Sequence, residues 1–450
     1  MLYIVLFTAM VYNSACEKLI AVDSPRAQLT PDKVFTDDNT ATSAVTGIYA
    51  FLNQYNNNYF IPYLNILTEL SADNGDHASG GFDMFRNNAL TAGDNYISSY
   101  FWATPYQAIY QCNAALEQLK TSSALSPATN KQLRGELLFL RAYLYFHLVN
   151  LFGDVPLVLS SDVKESTAAG RSPLGKVYDQ IVVDLKEAML LLSPQYTGGE
   201  KARANGYAAQ ALLARVYLYR GQWADAEREA SVIIGSNAYR LETDLSAVFL
   251  KNSKEAILQL WTQNGYTQTG AFSVPNPASA SAGYFLTDDL YRSFEAEDRR
   301  KSFWTGTITY GGIIYPYPLK YRQRALTTSG IEYTMLLRLA ELYLIRAEAL
   351  VHLNRTADAV ADLNLLRVRA GLPELEVSIS GEAITQAIEK ERRSELFWEG
   401  GHRWFDLKRT GRAIEVLQQL KPTINTKALL YPIPQAQRNI NANLTQNDGY

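Results

Sequence analysis

Apolar residues recur at helical spacing through residues 131–151, KQLRGELLFLRAYLYFHLVNL, and the pattern predicts a long amphipathic helix ended by Gly153. Residues 173–192 carry the same period. So do residues 36–51, where Val45, Ile48, Tyr49 and Leu52 form one face behind Asp37 or Asp38 as caps. Trp102, Tyr106, Ile109, Asn113 and Leu116 share another face beside Cys112 and read as core. Residues 204–234 predict two helices with a turn at 220–223. Two stretches break the rhythm. Residues 71–81, SADNGDHASGG, have no period and read as a loop. Residues 241–333 form an insertion in which KEAILQLWTQ from Lys254 and WTGTITYGG from Trp304 alternate as strands, while Pro275, Pro277, Pro316 and Pro318 prevent long regular elements.

The helical hairpin of residues 204–234 has a relative downstream. Aligning ALLARVYLYRGQWADAEREA from Ala211 with YLIRAEALVHLNRTADAVADL from Tyr343 places Ala214 on Ala347, Gly221 on Asn354, and Ala224, Asp225, Ala226 on Ala357, Asp358, Ala359. Small residues at these positions let antiparallel helices approach closely, as in the tetratricopeptide pattern. The long insertion between the copies predicts a helical scaffold carrying a second lobe rather than a tandem array.

The last strong helix runs through Ile384, Ala387 and Ile388, and its apolar stripe continues into Glu391 and Glu395. Buried carboxylates need cationic partners or protons. The spacing therefore predicts a structural ion network of Glu391 and Glu395 with Arg392, Arg403 and Arg409. The alternative is an acid and base pair of a glycoside hydrolase.

At 450 residues the chain exceeds what one core usually serves, which fits two lobes. A net charge of −3 without basic runs gives no reason to expect nucleic acid as a partner. Two cysteines, Cys16 and Cys112, exclude a disulfide framework, and four scattered histidines argue against a zinc site. No phosphate loop, nucleophile elbow or histidine pair occurs, and no cofactor is expected. What stands out is 29 tyrosines against 17 phenylalanines, rings with one wet edge, as found in carbohydrate sites and protein interfaces.

The segment from Glu391 to Gly411, ERR, EL, then E-x-GHRW-x-DLKR-x-G, resembles the C-terminal signature of the SusD/RagB family of outer-membrane nutrient-binding lipoproteins. FGDVP at Phe152, LRLAELYLIRAEAL at Leu337 and the chain end YPIPQAQRNINANLTQNDGY are similar to that family in the same order. The start, an apolar run ending in Ser14, Ala15, Cys16, resembles a lipoprotein signal peptide with Cys16 as its lipidated residue, followed by a leader, EKLIAVDSP. The resemblance implies a mostly α fold. A tetratricopeptide-like helical scaffold, about 30–60, 101–240 and 333–420, packs on an irregular, loop-rich lobe with a few short strands, about 61–100 and 241–332, and an extended segment, 421–450, follows. It also implies a lipid anchor as the sole membrane attachment, a SusC-like TonB-dependent transporter as partner, and a captured nutrient, commonly a glycan. It does not carry over the ligand residues.

Glycan capture asks for ring faces beside amide, carboxylate or guanidinium side chains. The irregular stretches offer Asp73, Asn74, Asp76, Phe82, Phe85 and Tyr96, then Tyr266, Tyr284, Trp304, Tyr310 and Tyr315, as candidate ligand-binding residues. Each has an alternative as lobe core, since large aromatics are mostly buried. SADNGD lacks the spacing and terminal Glu of an EF-hand, so no metal is assigned to it. A helical adaptor binding only proteins is the remaining alternative.

Overall fold

The computed structural model describes residues 34–53, 58–276, 278 and 283–450, and the segment around Cys16 lies outside the described residues. With the long helices and one short C-terminal helix numbered, the chain runs α1 (Asp38–Asn53), α2 (Phe60–Ser71), β1 (Gly75–His77), α3 (Thr104–Thr121), α4 (Pro127–Phe152), α5 (Leu174–Leu191), α6 (Gly206–Tyr219) and α7 (Trp223–Gly235). It continues through β2 (Ala256–Leu260), β3 (Tyr284–Leu286), β4 (Thr305–Tyr310), β5 (Ile313–Pro318), β6 (Thr334–Arg338), α8 (Leu339–His352), α9 (Thr356–Arg369), α10 (Glu382–Leu396), α11 (His402–Arg409) and α12 (Gln435–Ile440). The fold is mostly α, with few short strands.

Ser126 caps α4 by accepting the Thr129 N–H, Pro127 sits in the first turn where no N–H is needed, and Gly153, at φ +73°, ends it. α4 is buried on nearly every side rather than amphipathic, because α1, α3 and α5 all pack on it. Its polar groups are paired inside: Arg141 donates to Asp184 at 2.7 Å and Glu136 accepts from Arg203 at 2.6 Å. His147 is buried in the same helix without such pairing. Neither ring nitrogen has a partner among the described residues, and burial holds the ring neutral, its pKa well below the usual value.

The two hairpins keep their offset of 133 residues to the residue: α6 and α8 begin at Gly206 and Leu339, and α7 and α9 at Trp223 and Thr356. Gly221 and Asn354 fall at the same turn position, and both adopt the left-handed conformation. α8 packs directly on α7, so the hairpins stand side by side despite the insertion. Two boundaries move. Residues 61–71, expected in the irregular lobe, belong to α2, whose Phe60, Leu64, Leu67 and Leu70 are fully buried. Leu337 and Arg338 belong to β6, and the helix starts after them.

Among the described residues the insertion pairs its strands in three antiparallel ribbons, β3 with β1 upstream, β2 with β6 just after it, and β4 with β5 within it, the last closed by Gly311 and Gly312 at positive φ. A buried ion cluster fastens it to the helices. Glu395 accepts from Arg300, Arg338 and Arg369; Arg338 also donates to Glu255 at 2.7 Å and Glu399 at 2.8 Å; Arg300 reaches Asp298 and Glu391; and Lys320 reaches Glu399. Three surrounding guanidiniums hold the Glu395 carboxyl far below its usual pKa although burial opposes them.

The partners differ from those expected. Arg392 bonds Asp406 at 2.7 Å, Arg403 bonds Asp73 and Glu389, and Arg409 bonds Asp406 and Glu348; none meets Glu391 or Glu395. Arg338→Met would strand Glu255, Glu395 and Glu399 with too few cations. A loss of about 3–5 kcal/mol in urea unfolding is expected, and a loss under about 1 kcal/mol would contradict the cluster's role.

Candidate functional site

Where the lobe meets the helices, half-buried rings form one continuous ledge. Tyr59 and Tyr63 lie one turn apart at the start of α2, and Tyr96 and Tyr100 one turn apart around a π-helical turn, residues 97–103. Tyr63 stands 4.8 Å from Tyr100 and 5.4 Å from Tyr96, edge to face, and stacks within 15° on Phe272 at 5.6 Å. Phe82 joins Tyr96 to Tyr284 at 5.3 and 5.2 Å, and His77 closes the row at 4.8 Å from Phe82 and 4.5 Å from Tyr284. Tyr266, half-buried, is within electrostatic reach of Tyr59. Such edge-to-face contacts order the rings, and all but the buried Tyr284 stay partly exposed.

Burial raises the pKa of Tyr59, Tyr63, Tyr96 and Tyr284 and lowers that of His77, so the ledge presents phenols and a neutral imidazole at physiological pH. Nearby charges are matched: Arg86 bridges Asp83 at 2.8 Å and Asp76 at 3.4 Å. The chemistry offered is ring faces and hydroxyls, suited to stacking and neutral hydrogen bonding.

The ledge is held from below by the 389–412 segment. Arg403 clamps Asp73 with two bonds of 2.7 Å, and Arg393 bonds Asn74 at 2.8 Å. Burial opposes ionisation of Asp73, but Arg403 holds its carboxyl down at about 2. Asn74 donates to Glu69, whose own carboxyl burial pushes up to about 7. Trp398, a bulky residue at φ +62°, donates from Nε1 to Ser273 at 2.8 Å, in the one-turn helix that carries Phe272. Asn65 ties α2 to both sides, accepting the Gly400 N–H at 2.8 Å and donating to Thr269 at 3.1 Å. At Gly75 an added Cβ would come within 2.9 Å of Leu70 and 3.0 Å of Trp398, so a larger residue here would push these side chains aside.

Of the residues expected to bind ligand, Phe82, Tyr96, Tyr266 and Tyr284 meet at the ledge, and Asp76 lies on its rim. Asp73 and Asn74 are turned inward and paired, and Phe85 is wholly buried. Trp304 is 1% exposed: its Nε1 donates to the Leu245 carbonyl at 2.9 Å and its ring lies 4.8 Å from Lys320 Nζ, so it roofs the ion cluster. Tyr315 packs on Phe285, which points to the opposite face of the β1–β3 ribbon from Tyr284, and Tyr310 is exposed near the β4–β5 turn, apart from the ledge rings. Tyr59, Tyr63, Tyr100, Phe272 and His77 were not among the expected residues. The two tyrosine pairs at i and i+4, in NNNYFIPYLN and NYISSYFWA, are the signal that would have found them.

A recess of about 310 Å³ elsewhere, between Trp223, His352, Ile388 and Leu407, is walled by Arg392, Arg393, Arg403, Arg409 and Arg412, each ion-paired with a carboxylate. Glu391 and Glu395 face the ion cluster and not a groove. Neither arrangement offers two free carboxyls astride a sugar.

Two family models match: a SusD-like one described as "Starch-binding associating with outer membrane" over residues 5–218, and the SusD family over residues 257–450. SusD-like protein P2 of Formosa agariphila is 29% identical, covering 100% of this chain and 99% of its own. Starch-binding protein SusD of Bacteroides thetaiotaomicron is 26% identical over 76% of each chain. Among solved structures, a laminarin-binding SusD-like protein superposes with a TM-score of 0.77 at 25% identity, covering 92% of this chain and 100% of its own. A SusD homologue from Bacteroides thetaiotaomicron reaches 0.81 at 20% identity, a likeness of fold. With matched segments reaching from the N-terminal region to Tyr450, and a helical scaffold and lobe shared with solved relatives, this chain belongs to the SusD/RagB family.

Proposed function

We propose that the protein captures an oligosaccharide at the cell surface on the ring ledge and passes it, uncleaved, to a SusC-like TonB-dependent transporter in the outer membrane, the lipid on Cys16 being its anchor. The observation that carries this reading is the row of packed rings from His77 to Phe272, half-buried except for the buried Tyr284, with phenol hydroxyls among them. The outer-membrane description of the family model, and relatives named for binding starch and laminarin, support a glycan as the nutrient. Against hydrolysis speak the closed pairings of Glu391 and Glu395, which leave neither carboxyl free to donate or take a proton at a glycosidic bond.

Native affinity electrophoresis against laminarin and starch tests the ledge. Tyr63→Ala and Tyr96→Ala should each weaken binding about tenfold, the equivalent of about 1.4 kcal/mol, with no reducing ends released by any form of the protein. Wild-type affinity in both variants would refute the ledge, and turnover lost in Glu391→Gln would refute a binding-only role. Cys16→Ala should move the protein from the membrane to the soluble fraction; retention in the membrane would count against the anchor.

A further inference from the structure

A second recess, of about 380 Å³, shares no residue with the ledge. One wall is Trp102, on the π-helical turn, followed by Tyr106 and Tyr110, one turn and so about 6 Å apart on α3. They grade from floor to mouth: Trp102 is 3% exposed, Tyr106 half-buried and Tyr110 47% exposed. The facing wall is the 156–160 segment and α12 with its following turn, which bring Gln437, Ile440 and Leu444.

This frame is set by the protein's own bonds. Tyr106 donates to the Pro156 carbonyl at 2.9 Å. Tyr145 Oη accepts the Val158 N–H at 2.7 Å and donates to its carbonyl at 2.9 Å. Asn441 donates to Ala169 at 2.8 Å, tying the chain end to the wall. A recess with fixed walls binds without an ordering cost on the protein side.

Its chemistry is selective. No Asp, Glu, Lys, Arg or His lines it among the described residues, so a charged ligand would shed water for no counter-ion. Two carboxamides, Gln107 on α3 and Gln437 on α12, make no side-chain hydrogen bond to any described residue, and each can donate and accept. Uncommitted amides beside graded ring faces suit a neutral ring with an apolar face and several hydroxyls. We infer that this recess is a second contact site for a sugar residue, gripped by Tyr106 and Tyr110 and hydrogen-bonded by Gln107 and Gln437. That the ring is a sugar rests on the glycan reading of the ledge; the recess and its preference for neutral ligands rest on its own lining. A chain engaged at both places gains avidity without tighter contacts at either.

The test is native affinity electrophoresis of the full chain on laminarin and starch gels. Tyr110→Ala and Gln437→Leu would be made in the wild type and in the Tyr63→Ala/Tyr96→Ala background. Tyr110 is exposed, so its removal leaves the fold intact, checked by an unchanged thermal midpoint. Each variant should weaken retardation about three- to tenfold in the wild type and abolish whatever retardation the ledge-disabled protein keeps. Unchanged retardation by both variants in both backgrounds would overturn the recess while leaving the ledge to its own variants; that result would also be expected if the recess serves a protein partner. Full retardation of the ledge-disabled protein, lost on Tyr110→Ala, would instead overturn the ledge and uphold the recess. A wild type retarded by neither polysaccharide would overturn both.

Discussion

The fold depends on keeping charge out of water without leaving any of it unmatched. Glu395 lies at the centre, fully buried, with guanidiniums from three separate elements on its two oxygens: Arg300 from the lobe, Arg338 from β6 and Arg369 from the end of α9. Each of these ions alone would cost several kcal/mol to bury, and only the assembled set offsets that cost. The cluster is therefore cooperative by construction: Arg300 and Lys320 of the insertion meet Glu391, Glu395 and Glu399 of the helical half, and Glu255 of the insertion meets Arg338 and Arg369, so each side leaves ions unpaired until the two close together. Burial lowers Lys320 to about 8 even beside Glu399. Trp304 covers this assembly, its π face toward Lys320.

The same segment of chain that supplies Glu391, Glu395 and Glu399 continues into Trp398, Gly400 and Arg403, and these grip the elements bearing the ledge. α2 is tied through Asn65, the 71–77 loop through Asp73, and the short Phe272 helix through Ser273. The rings are thus exposed tips of elements whose roots sit in the ion-paired interior. This is how a surface of tyrosines is kept from collapsing onto itself. It also sets the residues that identify the family behind the ledge proposed to receive the ligand, as different sets lying back to back.

How much of this was legible in the chain follows from distance along it. The paired hairpins were, because Ala214 with Ala347 and Gly221 with Asn354 recur at fixed separation and their small size and turn conformation are local properties. That Glu391 and Glu395 had to be neutralised was legible too, from their place on an apolar stripe. Their partners were not: Arg300, Arg338 and Arg369 lie 26 to 95 residues away, while Arg392, Arg403 and Arg409, nearer in sequence, turn to Asp406, Asp73 and Glu348. For the rings, Phe82, Tyr96 and Tyr284 stood out because no helical period accounts for them. Tyr59, Tyr63 and Tyr100 were hidden by helices, where a tyrosine at core spacing and one at a helix end look alike. Trp304 was misread for the converse reason: a tryptophan in irregular chain can as well roof buried cations as face a sugar.

The central claim is that the ledge, and neither the arginine-walled recess nor the ion cluster, receives the ligand. A crystal structure of the protein with laminarihexaose or maltoheptaose tests it most directly. The account predicts sugar rings stacked along Tyr59, Tyr63, Tyr96 and Tyr100 with the 389–412 segment unmoved. An oligosaccharide seated between Trp223 and Arg392, with the ledge bare, would contradict it.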